Sequence, residues 1–273
     1  MWLASYPKSG NTWIRAFLHN LILRAELSYD INKINLLSVG DSAKEWYEEF
    51  LQKPYADWTI EEIAAVRAKA HARIAGLTDG LIFVKTHNAL VAHAGIPMVS
   101  SELTAGAIYM IRNPLDVVIS LSHYLDMDLD SSISVMNESL VARSGNENVV
   151  YQVWGSWSEN VATWTRKLDP SLFVMRYEDL LMDPAVPFTA LVEFLYLRPT
   201  RRELEKAIEN SRFDALQAQE QKHGFVEMPS SGQFFRKGTS GQWKELLSKN
   251  QIQAVVDAHY EQMSRFGYLP QDI

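Results

Sequence analysis

Tyr6-Pro7-Lys8-Ser9-Gly10-Asn11-Thr12-Trp13 follows the short apolar run Trp2-Leu3-Ala4. It precedes Ile14, Phe17, Leu18, Leu21 and Ile22 at helical spacing. This order predicts a strand, a tight loop and a helix starting near Thr12. The free N–H groups of such a helix start, and the positive end of its dipole, point back into the loop. Gly10 lets the backbone approach a ligand closely. Lys8 adds a full positive charge, and Ser9 and Thr12 add hydroxyl donors. Together they predict an anion cradle, above all for a phosphate. The loop is not of the Walker A type, Gly-x-x-x-x-Gly-Lys-Ser/Thr, because Lys8 stands before Gly10 and directly after Pro7.

Working outward, 273 residues with 47% apolar and 22% charged side chains describe an ordinary globular chain. The formal net charge of −7 argues against a broad basic surface for nucleic acid. A polyanionic ligand must then be held by local donors rather than by the field of the whole protein. The chain has no cysteine, so disulfides, thiolate metal sites and thiol nucleophiles are excluded. It enters its first strand without the basic and apolar segments of a signal peptide, and it has no apolar run long enough for a membrane span. A cytoplasmic protein is the expectation.

Four apolar segments read as buried parallel strands: residues 2–5, 81–84, 107–111 and 172–175. Each is followed by a cation, namely Lys8, Lys85, Arg112 and Arg176. Ligands of open parallel sheets gather at the carboxyl ends of the strands. Between the first two strands lies a polar, mostly helical insert over 28–79, with its clearest helix at 61–75. Residues 126–148 read as a loop or lid. Residues 152–168 read as a helix with Trp154, Trp157, Val161 and Trp164 on a core-facing side. Residues 223–241 read as a long glycine-punctuated loop. Ser248 and Gln251 have capping-box spacing ahead of a final helix carrying Ile252, Val255, Val256, Met263 and Phe266. No internal repeat is evident. The expectation is a single α/β domain over 1–273, a central parallel sheet flanked by helices with the anion loop at its first strand.

Lys85-Thr86-His87 places a lysine and a histidine on the same side of an extended segment. A histidine titrates near neutrality, with an ordinary pKa of about 6.5. His87 can therefore take the proton of an attacking hydroxyl or amine, while Lys85 neutralises charge on the leaving group. After the third strand, Asn113 and Pro114 suit the cap and first turn of a helix. Arg112 at the strand end and Ser120 inside that helix make a second anion clamp, and Asp116 reads as structural.

These segments resemble the cytosolic-type sulfotransferases that use 3′-phosphoadenosine 5′-phosphosulfate (PAPS). Residues 6–13 are similar to that family's loop for the 5′-phosphosulfate, residues 112–120 to its 3′-phosphate segment, and residues 85–87 to its catalytic strand end. Tyr177-Glu178-Asp179-Leu180 resembles the segment whose tyrosine contacts adenine. Arg236-Lys237-Gly238, preceded by Phe235, resembles the late loop over the 3′-phosphate, and Ser211 and Phe213 resemble an adenine-side element. Gly155-Ser156-Trp157 and the final helix also fit, so the resemblance spans nearly the whole chain. It implies PAPS as donor, adenosine 3′,5′-bisphosphate (PAP) as product and no metal. It also implies Lys8, Lys85 and His87 as catalytic residues. Lys8, Ser9, Gly10, Asn11 and Thr12 would hold the phosphosulfate; Arg112, Ser120, Arg236 and Lys237 would hold the 3′-phosphate. Trp13, Tyr177, Ser211 and Phe213 would flank the adenine, with Phe235 and Gly238 shaping the closing loop.

Asn11 departs from a frequent threonine of that family, and residues 244–253 match its dimerisation segment only in part, leaving the oligomeric state open. Two other readings stand beside this one: a small-molecule or nucleotide kinase, and a non-catalytic nucleotide-binding module. The acceptor is expected to be a small molecule bearing an alcohol, phenol or amine, with its site shaped by residues 28–79 and 126–148. Trp46, Tyr124, Met127 and Leu129 hint at an apolar one.

Overall fold

Along the first strand, β1 (Trp2–Ser5), side chains alternate between two cores. Trp2 and Ala4 pack with Tyr109, Ile111 and Val118, whereas Leu3 packs with Ile14, Phe17, Ile108 and Met110. Such two-sided burial is what a parallel strand between helical layers requires. The other strands of its sheet are β2 (Ser38–Gly40), β3 (Phe83–Thr86), β4 (Ala107–Ile111) and β5 (Leu172–Arg176). They form one five-stranded sheet in the order β2-β3-β1-β4-β5, with every pairing parallel. The computed structural model describes residues 1–271 apart from 141, 168 and 229–231.

The helices are α1 (Asn11–Ile22), α2 (Ile60–Ala75), α3 (Pro114–Leu125), α4 (Leu129–Asn137), α5 (Trp157–Thr165) and α6 (Tyr177–Met182). They continue with α7 (Ala185–Phe194), α8 (Arg201–Asn210), α9 (Phe213–His223), α10 (Trp243–Leu246) and α11 (Lys249–Arg265). Helices α1, α7 and α8 cover the Leu3 face of the sheet; α2, α3, α5 and α11 cover the other. The chain moves from β1 out to β2 and β3, then crosses back over β1 to β4. The winding direction therefore reverses at β1, which opens a crevice at the carboxyl ends of β1, β3 and β4. Ala4 is level with Thr86, and Ser5 with Met110, so the segments following those strands meet there. Among the described residues no helix is long and apolar enough to cross a membrane.

The α/β architecture agrees with the sequence, and several boundaries move. The second strand, expected at 81–84, runs from Phe83 to Thr86. Leu81 is exposed, and the Ile82 carbonyl accepts from the N-terminal ammonium at 3.0 Å. Lys85 is thus a strand residue and His87 follows the strand end. Strand β2 lies inside the insert that reads as helical, because three residues are too few to show a pattern. The expected helix over 152–168 begins only at Trp157. Gln152–Val153 pairs with Ala142–Arg143, Gly155 takes φ 67°, and Ser156 caps the helix. Trp154 therefore lies outside the helix, and position 168 lies outside the described residues. The expected loop over 126–148 contains α4, capped by Asp128, while its position 141, like 229–231 in the late loop, lies outside the described residues. Asn113 and Ser248 cap α3 and α11 as their spacing predicts.

The Ser156 cap is reciprocal: its Oγ accepts from Glu159 N at 3.2 Å, and Glu159 Oε2 accepts from Ser156 N at 2.9 Å. Ser156→Ala is expected to cost about 1 kcal/mol. The midpoint in a thermal melt should fall by roughly 2–4 °C.

Candidate active site

The turn from β1 to α1 is drawn tight by its own side chains. Asn11 Nδ2 donates to the Leu3 carbonyl at 2.8 Å. Lys8 and Gly10 take positive φ, 66° and 105°. At Gly10 a side chain is also blocked in space, since a Cβ would stand 2.7 Å from the Tyr177 ring. No side chain caps α1 at Gly10, so the first-turn amides stay available to an anion. The Asn11 side chain is committed to the loop itself, leaving its backbone N–H for a ligand. Ser9 Oγ, Trp13 Nε1 and Arg112 Nε are buried with no hydrogen-bond partner among the described residues. Orphaned polar atoms clustered about one loop fit a site meant for a polar ligand.

A cavity of about 600 Å³ opens at the sheet's carboxyl edge. Lys8, Gly10, Asn11, Thr12, Trp13, Lys85, His87, Arg112, Ser120 and Tyr177 line it, together with Phe213, Phe235, Arg236, Lys237 and Gly238. Two expected residues stand off this wall. Ser9 lies beneath the loop, fully buried. Ser211 is also fully buried, at the end of α8, where its Oγ donates to the Ile208 carbonyl at 3.1 Å. Arg176, the fourth strand-end cation, points away and pairs with Asp179 and Tyr268.

His87 has its tautomer set by geometry. Its Nδ1–H donates to the Ser5 carbonyl at 2.9 Å, leaving Nε2 with the lone pair. Burial, then the neighbouring Lys85 charge, lowers its pKa to about 3. The ring is therefore neutral at pH 7, with Nε2 an unprotonated acceptor. Its backbone is held too: Asn160, buried and fixed by the Tyr109 hydroxyl at 2.7 Å, donates to the His87 carbonyl at 3.0 Å. Beside it, buried Asp41 accepts from Thr86 and Asn88, each at 2.9 Å.

Four of the cations that line the cavity are handled differently. Lys8 Nζ lies 3.8 Å and 4.4 Å from the ring centres of Phe234 and Tyr124. Burial, then Lys85 and Arg112, lowers its pKa to about 7. Lys85 donates to Glu227 at 2.8 Å. Arg112 lies over the Tyr177 ring and donates to the Lys8 and Thr239 carbonyls at 3.1 and 3.2 Å. Arg236 is held below its ordinary pKa by burial and by Arg112. The late loop that carries Arg236 is tied down at several points, two of them by carboxylates. Asp116 accepts from Gly241 N at 2.7 Å, and Glu220 accepts from Phe234 N and Phe235 N at 2.6 and 2.8 Å. Gly238, at φ 60°, lies so close to Phe213 that any side chain would enter its ring.

Sequence reasoning missed Asp41, Asn88, Asn160, Arg15 and Glu227. Asn88 adjoins a marked motif; the others become neighbours only through the fold. On the far side of His87 the wall is built by residues 39–46 of the insert and by Asn146 and Asn148. Trp46 and Tyr124 contribute to the cavity. Met127 and Leu129 do not, because Met127 is exposed and Leu129 packs on the core.

Comparison with known proteins places this geometry. The model of the sulfotransferase domain family matches residues 1–267. The chain belongs to this family. It is a sulfotransferase, an enzyme that moves a sulfuryl group. Sulfotransferase 2B1 of Rattus norvegicus is 30% identical, over 100% of this chain and 73% of its own. Sulfotransferase 1E1 of Mus musculus is 26% identical, over 96% of this chain and 82% of its own. The fold recurs in mouse sulfotransferase SULT7A1 complexed with PAP, at 20% identity and TM-score 0.61, covering 96% and 84% of the two chains. It recurs in retinol dehydratase complexed with retinol and PAP, at 17% identity and TM-score 0.66, covering 96% and 80%.

An anion at Lys8 should draw a proton onto it. Below its pKa of about 7 the free lysine is already charged; above it, binding must take up a proton. The affinity for PAP is therefore expected to fall as pH rises above about 7, by up to about tenfold per pH unit. Calorimetry in buffers of different ionisation enthalpy should report the uptake. Lys8→Arg, which stays charged, should flatten the dependence.

Proposed function

We propose that this sulfotransferase draws on PAPS and sulfates a hydroxyl or amine of a small molecule, with His87 as general base. The observation that carries the reading is a neutral imidazole with its Nε2 lone pair free, set among cations that have few carboxylate partners. Buried, unpartnered donors around the Lys8 loop suit a phosphosulfate. Arg112, Ser120, Arg236 and Lys237 suit the 3′-phosphate, Arg236 with a planar fork matched to phosphate oxygens. Trp13, Tyr177 and Phe213 offer aromatic faces and edges to an adenine. PAP in the solved complexes of the same fold supports this assignment, and retinol in one of them supports a small-molecule acceptor.

PAPS supplies the sulfuryl group: its bond to the bridging phosphate oxygen breaks, a bond to the acceptor oxygen or nitrogen forms, and PAP departs. The chain supplies positioning and charge. His87 Nε2 takes the acceptor proton. The Ser5 carbonyl then stabilises the imidazolium through Nδ1–H, the way a third group steadies a catalytic histidine. Lys8 and Lys85 face charge on the departing phosphate, together with the loop amides.

His87→Ala is expected to abolish turnover while keeping the PAP dissociation constant within about threefold. Arg112→Ala is expected to weaken PAP binding roughly 10- to 100-fold through loss of a charged hydrogen-bonding group. Near-wild-type turnover by the first variant would overturn the base assignment. Unchanged PAP affinity in the second, read by calorimetry, would overturn the phosphate role.

A further inference from the structure

Glu227 follows α9 at the start of the late loop, far in sequence from every element it touches. Its side chain is only 16% exposed, and both carboxylate oxygens are engaged. Oε1 accepts from Arg15 at 2.7 Å and Oε2 from Lys85 at 2.8 Å. Arg15 is itself immobilised: fully buried on α1, it also donates to Ser38 Oγ at 2.8 Å and Asn35 Oδ1 at 2.7 Å. One oxygen of Glu227 is thus clamped to a rigid helix, and the other aims Lys85 along the cavity wall.

We propose that Glu227 is a positioning residue for sulfuryl transfer, holding Lys85 Nζ as a fixed cation on the cavity wall near His87. The inference rests on the reading of Lys85 given above. A lysine ammonium is a point charge on a flexible stem. Left free in a desolvated site, it would wander among rotamers and lose charge. Fixed beforehand, it needs no reorganisation when charge develops on the leaving phosphate. Lys8 lacks such an arrangement, sitting against the Phe234 and Tyr124 rings. The two lysines therefore differ in kind: Lys85 is stationary and Lys8 responds to the ligand.

The groups that set the protonation of Lys85 come from several elements. Burial lowers its pKa; Glu227 and Asp41 oppose this and favour its charge, whereas Arg15, Lys8 and a protonated His87 add to it. Burial opposes ionisation of Glu227 itself, but Lys85 and Arg15 override this and keep its carboxyl well below the ordinary range. Removing the Glu227 charge leaves Asp41 as the acidic partner on Lys85's side.

The test is a double-mutant cycle of Glu227→Gln and Lys85→Met, following PAPS turnover with 2-naphthol as acceptor. It is joined by competitive acetylation of Lys85 across pH, read by mass spectrometry without donor or acceptor. Glu227→Gln is expected to lower kcat roughly 10- to 100-fold, with the PAP dissociation constant within about threefold. Lys85 should acetylate at lower pH in that variant, Glu227→Asp should restore part of the rate, and the double variant should be no slower than Lys85→Met. A Glu227→Gln loss that adds in full to a slow Lys85→Met would overturn the role of Glu227 alone. So would an unshifted acetylation profile, or a rise in kcat. Wild-type turnover by Lys85→Met would instead remove the reading of Lys85, and this inference with it.

Discussion

Lys8, Lys85, Arg112 and Arg236 converge on one desolvated cavity, and their mutual repulsion is the constraint around which the site is arranged. The chain as a whole is acidic, with a formal net charge of −7, yet little of that acidity faces these cations. Three of them are made tolerable locally. Arg112 is held by two carbonyls and a tyrosine face, Lys85 by Glu227, and Lys8 by two aromatic rings, with a pKa drawn down to about 7. Such an arrangement stores unfavourable electrostatics that an anionic ligand relieves. The acidity elsewhere sharpens this, since attraction for a polyanion is confined to the cavity rather than spread over the surface.

The same crowding explains the histidine. Burial and then Lys85 suppress protonation of His87, so the cationic surroundings help keep its imidazole neutral. The Ser5 carbonyl decides which nitrogen is available. That bond joins the end of β1 to the end of β3, and exists because Ala4 and Thr86 are level in the parallel register. Sheet topology thereby reaches the tautomer of a single ring.

Much of this was legible in the chain. The unbroken burial of β1 and β4, the caps of α3 and α11, and the loop before α1 follow from side-chain pattern and capping chemistry, which act over a few residues. The cavity gathers most of the side chains that the motifs single out. Errors fell where local signals are weak or outvoted. Three-residue β2 has no readable period. Gly155 and Ser156 break the tryptophan pattern that read as one helix from 152. Leu81 and Ile82 looked like strand core but lie ahead of it. Met127 and Leu129 suggested an apolar acceptor wall, yet one faces solvent and the other packs inward.

The sequence by itself determined the layered α/β class, the tight turn of Lys8 to Thr12 and the placing of Lys85 beside His87, because each is carried by neighbours along the chain. Only the tertiary structure decided which nitrogen of His87 is free, that Asn11 ties the loop to Leu3, and that Ser211 caps a helix away from the cavity wall. It alone joined Glu227 to Lys85 and Arg15. Those outcomes depend on burial and on contacts between residues remote in the chain, where the desolvation that shifts a pKa or demands a partner exists only once the layers have closed.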